Sequence, residues 1–206
     1  MPVTTNPSLT LSNYYNFFSF LSPFLLVFFM IMISVFNMEI KGVIYLGGIL
    51  MASIINALLV NLVKQNKNSD ASPLCGLFNP FPNQDYNSPS YNSLLISFTF
   101  AYLLLPMIFN KQINYVVIIV ILSLLIMDGF CQVFNLCTNV VGTILGSLVG
   151  FILGSLYYTG IYHSGYKGLL YFEEFQSNKV ICKRPKKQQF KCKVFKNGEL
   201  VDSTIA

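Results

Sequence analysis

Tryptophan is absent from this 206-residue sequence, and histidine and arginine occur once each. Without Trp, any aromatic belt at a membrane surface must be built from Tyr. The lone His163, and the lack of a Cys-x-x-Cys pair among Cys75, Cys131, Cys137, Cys182 and Cys192, exclude the usual zinc-ligand patterns. Charge is scarce as well: Asp, Glu, Lys and Arg make up 10% of the chain. No basic stretch precedes the first apolar run, so the beginning does not read as a cleaved signal peptide. The single Arg beside twelve Lys, with abundant Asn, points to an AT-rich genome, compatible with a protist or a large DNA virus.

What is abundant is apolar: 54% of the residues, too much Phe, Leu and Ile for a water-soluble domain of this length to hide. The expected fold is an all-α integral membrane protein of five spans with a small soluble tail resembling a β-hairpin. A polar segment, 1–13, precedes a transmembrane domain, 14–162. The expected spans are 14–36, 42–63, 94–109, 113–134 and 140–162. All but the third reach the roughly 20 residues that a hydrocarbon core requires. Pro23 falls inside the first, and Pro106 near the exit of the third. Gly47, Gly48, Ala52 and Ser53 give the second span a small face, and Asn56 and Asn61 near its end need polar partners. Gly142, Gly146, Gly150 and Gly154 recur every four residues in the fifth, which places them on one helix face suited to close packing. Asp128 is the one acid inside a span, a functional candidate by default; hydration near the interface, or a contact with Asn56 or Asn61, is the structural alternative.

Residues 163–206 hold nine basic and four acidic residues. Apolar runs around 180–182 and 190–195, with Asn197-Gly198 as a turn, suggest short strands. Lys183, Arg184, Lys186, Lys187, Phe190 and Phe195 are the candidate partner-binding residues of this tail. Its charge, with Lys41 and Lys111 in two short connections on the same side, puts that side in the cytoplasm by the positive-inside rule. The loop 64–92 and the turn 135–138 then share the opposite side, where Cys75 and Cys137 either pair or stay as thiols.

Three groups on that opposite side carry a resemblance. Lys64 followed by Pro73, then Pro89-Ser90-Tyr91-Asn92-Ser93, then Asp128-Gly129 with Asn135 and Asn139, resemble in order the three motifs of the phosphatidic acid phosphatase type 2 superfamily; the third keeps the family's spacing, whereas the first lacks its Arg and has an altered spacing. The resemblance covers residues 42–162. It implies a membrane-embedded phosphoryl-transfer site in which a His attacks phosphorus, an Asp orients it and a second His protonates the leaving group. Here Asn135, Asn139 and Asn92 stand at those three positions, and the motif arginines are missing. A carboxamide is neither a useful nucleophile nor a general acid, so the resemblance implies a degenerate, inactive relative. Lys64, Lys67 and Ser90 are the candidates for holding a phosphate or lipid headgroup.

The expected function is therefore noncatalytic: a multi-pass subunit tethering other proteins through its cytosolic tail, in a viral internal membrane beneath a capsid or in an organellar membrane complex. A lipid phosphatase of the resembled fold, or an anionic-lipid-binding protein, is the alternative. Expected partners are the bilayer and other protein subunits, with anionic lipid as a further candidate. Nucleic acid, metal and cofactor are not expected.

Overall fold

A computed structural model describes residues 11–66, 71–72, 75, 87–111, 113–171, 191–196 and 199–205. Lys67, Lys183, Arg184, Lys186, Lys187 and Phe190 lie outside these residues, as do the expected strand residues 180–182. The chain divides into two units, residues 1–174 and 175–206.

The first unit is helical: α1 (Leu11–Phe36), α2 (Lys41–Val63), α3 (Tyr91–Phe109), α4 (Tyr115–Phe134) and α5 (Val140–His163), followed by a 3-10 turn at Lys167–Leu169. All five long helices are long and apolar enough to cross a membrane, as a multi-pass integral membrane protein requires. Three begin before their expected starts, and α4 begins two residues after. Both α1 and α3 begin three residues early, α3 at Tyr91 rather than Leu94. The reason at α3 is Ser90: its side chain caps the helix, accepting from the Ser93 amide at 3.4 Å. Likewise Asn114 accepts from the amides of Val116 and Val117, and so opens α4. Helix α1 runs through Pro23, which has no N–H for the carbonyl of Ser19. The Ser22 hydroxyl donates to that carbonyl at 2.8 Å, filling the gap.

Helix α3 is the centre. It touches all four other helices, and 67% of its apolar window is buried, against 22–39% for the others. Lipid tails are as apolar as Leu, so hydrophobicity alone does not draw helices together in a bilayer; close packing and hydrogen bonds do. Helix α3 supplies both. Its Ser97 hydroxyl donates to the Ser147 carbonyl of α5 at 2.6 Å, and Thr99 Oγ1 lies 2.6 Å from the Tyr45 hydroxyl of α2. Gly146, Gly150 and Gly154 of α5 lie against its entry and early turns, while Gly142 faces Thr138 and Ser88. An added Cβ at Gly146, Gly150 or Gly154 would come within 2.4–2.5 Å of the carbonyl oxygens of Ser90, Leu94 and Phe98 respectively. In α2, Gly48 is buried beneath the rings of Phe98 and Tyr157, whereas Gly47 is exposed.

One end of the bundle is aromatic. Tyr45, Tyr102, Tyr157, Tyr158 and Tyr171 form a chain of tilted and edge-on ring contacts, the Tyr45–Tyr102 centroids 5.6 Å apart. Tyr171 comes from beyond α5 and is buried there, its hydroxyl donating to the Met30 carbonyl at 2.7 Å. The α1–α2 connection closes beside it, with Lys41 Nζ 3.2 Å from Glu39 and the Gly42 amide on the Ser34 hydroxyl at 2.7 Å.

In the second unit, the described segments β1 (Lys191–Lys196) and β2 (Glu199–Ile205) run antiparallel, Lys191 opposite Ile205 and Lys196 opposite Glu199. Their register shifts between Val194 and Phe195.

Candidate functional site

At the other end of the bundle, the segment before α3 is sewn to the turn before α5. Cys75 and Cys137 form a disulfide. The Ser72 amide donates to the Asn135 carbonyl at 3.2 Å, and Thr138 Oγ1 to the Asn87 carbonyl at 3.1 Å. The Ser90 amide donates to the Gly142 carbonyl at 2.9 Å. The entry to α3 and the entry to α5 are thus fixed side by side.

Two polar clusters form below this junction. The first surrounds Asp128, which is fully buried. Gln132 Nε2 donates to Asp128 Oδ2 at 2.9 Å, the Ser93 hydroxyl to the same oxygen at 3.3 Å, and Asn92 Nδ2 to Oδ1 at 3.4 Å. The Ser90 hydroxyl donates to Gln132 Oε1 at 2.7 Å. Gln132 sits one turn after Asp128 on α4 and so shares its face; Asn92 and Ser93 come from the first turn of α3. The second cluster joins α1 to α4. Asn16 and Asn135 exchange amide hydrogen bonds at 3.2 and 3.3 Å, and Asn135 Nδ2 also donates to the Cys131 carbonyl at 2.8 Å.

The positions singled out by the motif resemblance are therefore distributed rather than assembled. Asn92 belongs to the Asp128 cluster and Asn135 to the Asn16 cluster. Asn139 is exposed at the start of α5, and its side chain makes no capping bond. Ser90 is buried, and its amide and hydroxyl both have acceptors within the bundle. Lys64 is exposed at the end of α2, with a left-handed backbone. Asp128 does not hydrogen-bond to Asn56 or Asn61, the partners considered from sequence. Asn56 Nδ2 reaches the Pro89 carbonyl at 3.5 Å, and Asn61 is exposed. Asn16 and Gln132 are the members that motif spacing passed over, and Ser93 lay within the second motif without being given a role. The signal for Gln132 was its place four residues after the only intramembrane acid.

No family model, curated protein or solved structure matches the chain. The multi-pass membrane class thus rests on the five helices themselves.

Proposed function

We propose that the chain is a noncatalytic multi-pass membrane subunit that tethers other proteins through its C-terminal tail, in a viral internal membrane or an organellar membrane complex. The observation that supports it is the state of Asn135. At the position where the resemblance implies an attacking group stands an amide, tied to a second amide and to a backbone carbonyl. Among the described residues neither an imidazole nor a carboxylate is hydrogen-bonded to it, and none of them is placed to activate a nucleophile there. Kinship with the phosphatidic acid phosphatase type 2 superfamily remains part of this proposal, as a scaffold whose chemistry has been lost.

The tail supplies the tethering element in this reading. Its basic residues suit anionic lipid or an acidic protein surface, and its alternation of apolar residues suits docking on protein. Two strands alone are marginal in water, so a hairpin-like tail gains its stability from what it rests on. The test replaces Phe190 and Phe195 with Ser in the full chain, keeping every lysine, and measures incorporation into the parent assembly together with phosphate release from phosphatidate. Loss of incorporation without phosphatase activity in either protein is the expected result. Normal incorporation, or phosphatidate turnover by the natural chain that disappears in Asn135→Ala, overturns the reading.

A further inference from the structure

Three of the five cysteines meet where α4 ends. Cys131 and Cys137 share a small buried apolar cluster with Phe20, and Cys75 packs against it. Cys75 and Cys137 are bonded to each other, while Cys131 is a buried free thiol. A buried thiol is ordinarily inert, because no reagent reaches it. This one has a disulfide for a neighbour, so no reagent has to.

The end of α4 explains how they come together. The Leu136 amide donates to the Val133 carbonyl at 3.1 Å and the Cys137 amide to the Gln132 carbonyl at 2.9 Å, while Leu136 takes a left-handed backbone with φ 54°. That pair of bonds is the Schellman end of a helix, which folds the second residue past the cap back onto the last turns. The residue so folded is Cys137, and Cys131 is the helix residue it packs with.

Hydrogen bonds provide for a free thiol at either of two places. The Cys131 thiol donates to Asn16 Oδ1 at 3.3 Å, and Asn135 Nδ2 aims a donor at the same sulfur, also at 3.3 Å. A donor aimed at sulfur favours the thiolate, which is the nucleophilic form. Cys75 Sγ lies 3.7 Å from the Asn135 carbonyl oxygen, in a direction suited to an S–H donor. While Cys75 is bonded it has no proton to give. Once released, it finds that acceptor already in place.

We propose that Cys131 exchanges with the Cys75–Cys137 bond, which makes that bond a switch rather than a permanent tie. The Cys131 thiolate attacks Cys137 Sγ. A Cys131–Cys137 bond forms, the Cys75–Cys137 bond breaks, and Cys75 leaves as a thiolate that takes up the proton Cys131 gave up. One disulfide and one thiol stand on each side, so no oxidant or reductant is consumed. The new bond lies within α4 and its turn, and the segment before α3 is then held to that turn by hydrogen bonds alone. Cys131 is buried and Cys75 only partly so, and exchange therefore moves the free thiol to the more accessible cysteine. The switch does not depend on the tethering role.

The full chain carrying Cys182→Ser and Cys192→Ser, so that the tail thiols take no part, is held in detergent at about pH 8, near the ordinary thiol pKa. N-ethylmaleimide is present and no thiol is added; disulfides are then mapped by mass spectrometry. Over minutes to hours, the timescale of uncatalysed disulfide rearrangement, label accumulates on Cys75 and a Cys131–Cys137 peptide appears with it. Cys131→Ser lowers the labelling of Cys75 by about tenfold or more, because the neighbouring nucleophile is gone. Cys75→Ser, equilibrated in a glutathione buffer, forms the Cys131–Cys137 bond, which keeps the test open should Cys131→Ser misfold. Absence of the Cys131–Cys137 peptide from the trapped chain overturns the proposal. So does Cys75 labelling that persists in Cys131→Ser, or a Cys75→Ser chain that keeps both remaining cysteines as thiols.

Discussion

Gln132 shows how much a single side chain can hold. It links the Ser90 hydroxyl that caps α3 to the Asp128 carboxyl of α4. Replacing it with Met conserves volume and deletes both bonds, leaving a hydroxyl and a carboxyl oxygen short of partners. Intramembrane hydrogen bonds average below 1 kcal/mol, but bonds to a charged group are stronger, so the expected cost of Gln132→Met is about 1–2 kcal/mol. Asn92→Ala should cost less, because its bond is longer and the residue is only half-buried. Equilibrium unfolding in detergent ranks the two, and the opposite order would remove Gln132 from the centre of the network. Asp128 was legible in the sequence as an acid inside an apolar run; Gln132, one turn on, was not singled out, although its place four residues later was the available signal. Their partners on α3 were not legible, because they depend on how two helices align along their axes. Sequence spacing suggested Asn56 and Asn61 instead, on a helix that does not reach Asp128 with a hydrogen bond. Tyr171, outside the spans, adds a pH effect. Burial pushes its hydroxyl above the usual tyrosine range, the Ser34 hydrogen bond opposes this and Glu39 adds to it. Its contribution to stability is thus complete below about pH 10 and is lost as pH rises through the folded-state value.

At the scale of helices, α5 carries one instructive contrast. Gly150 lies against the Leu94 carbonyl, where an added Cβ would approach to 2.4 Å. Gly160, on the same helix, has nothing within 4 Å of the same atom. Gly150→Ala must therefore push α3 and α5 apart, at a cost of about 1–3 kcal/mol. Gly160→Ala meets open space and should be neutral or slightly stabilising, by up to about 1 kcal/mol from helix propensity. Paired melting curves measure both, and equal effects would refute the close-approach account. The four-residue glycine period was plain in the sequence and implied a packed face. It did not reveal which helix lies opposite. That depends on Ser90, which caps α3, and Leu94 and Phe98 within it having the same four-residue period, hidden there by their differing side chains. The start of α3 was set three residues late for a related reason: Tyr91, Asn92 and Ser93 look like loop residues, and only the Ser90 cap makes them a helical turn.

For the molecule as a whole, the Cys75–Cys137 bond closes the long segment between α2 and α3 onto the turn before α5, across a sequence separation of 62. Closing a loop of that size removes about 4 kcal/mol of unfolded-state entropy in the chain-entropy model, and measured effects are often smaller. Cys137→Ser is expected to lower stability by about 2–4 kcal/mol and to raise the protease sensitivity of the 64–90 segment. Unchanged cleavage there would mean that the hydrogen bonds from Ser72, Asn87 and Ser90 suffice alone. The central place of α3 has a further consequence, for the order in which the protein is made. Of the five helices it has the lowest hydropathy, with Ser93, Ser97 and Thr99 all buried in the finished bundle. It leaves the ribosome before α5, the helix whose glycine face covers it. During the synthesis of residues 110–139, α3 is therefore an incomplete span in search of a partner. It has to wait beside the translocon, or beside α1 and α2, until α5 arrives. A chain halted before α5 would leave polar side chains facing lipid, and membrane quality control would have an obvious target.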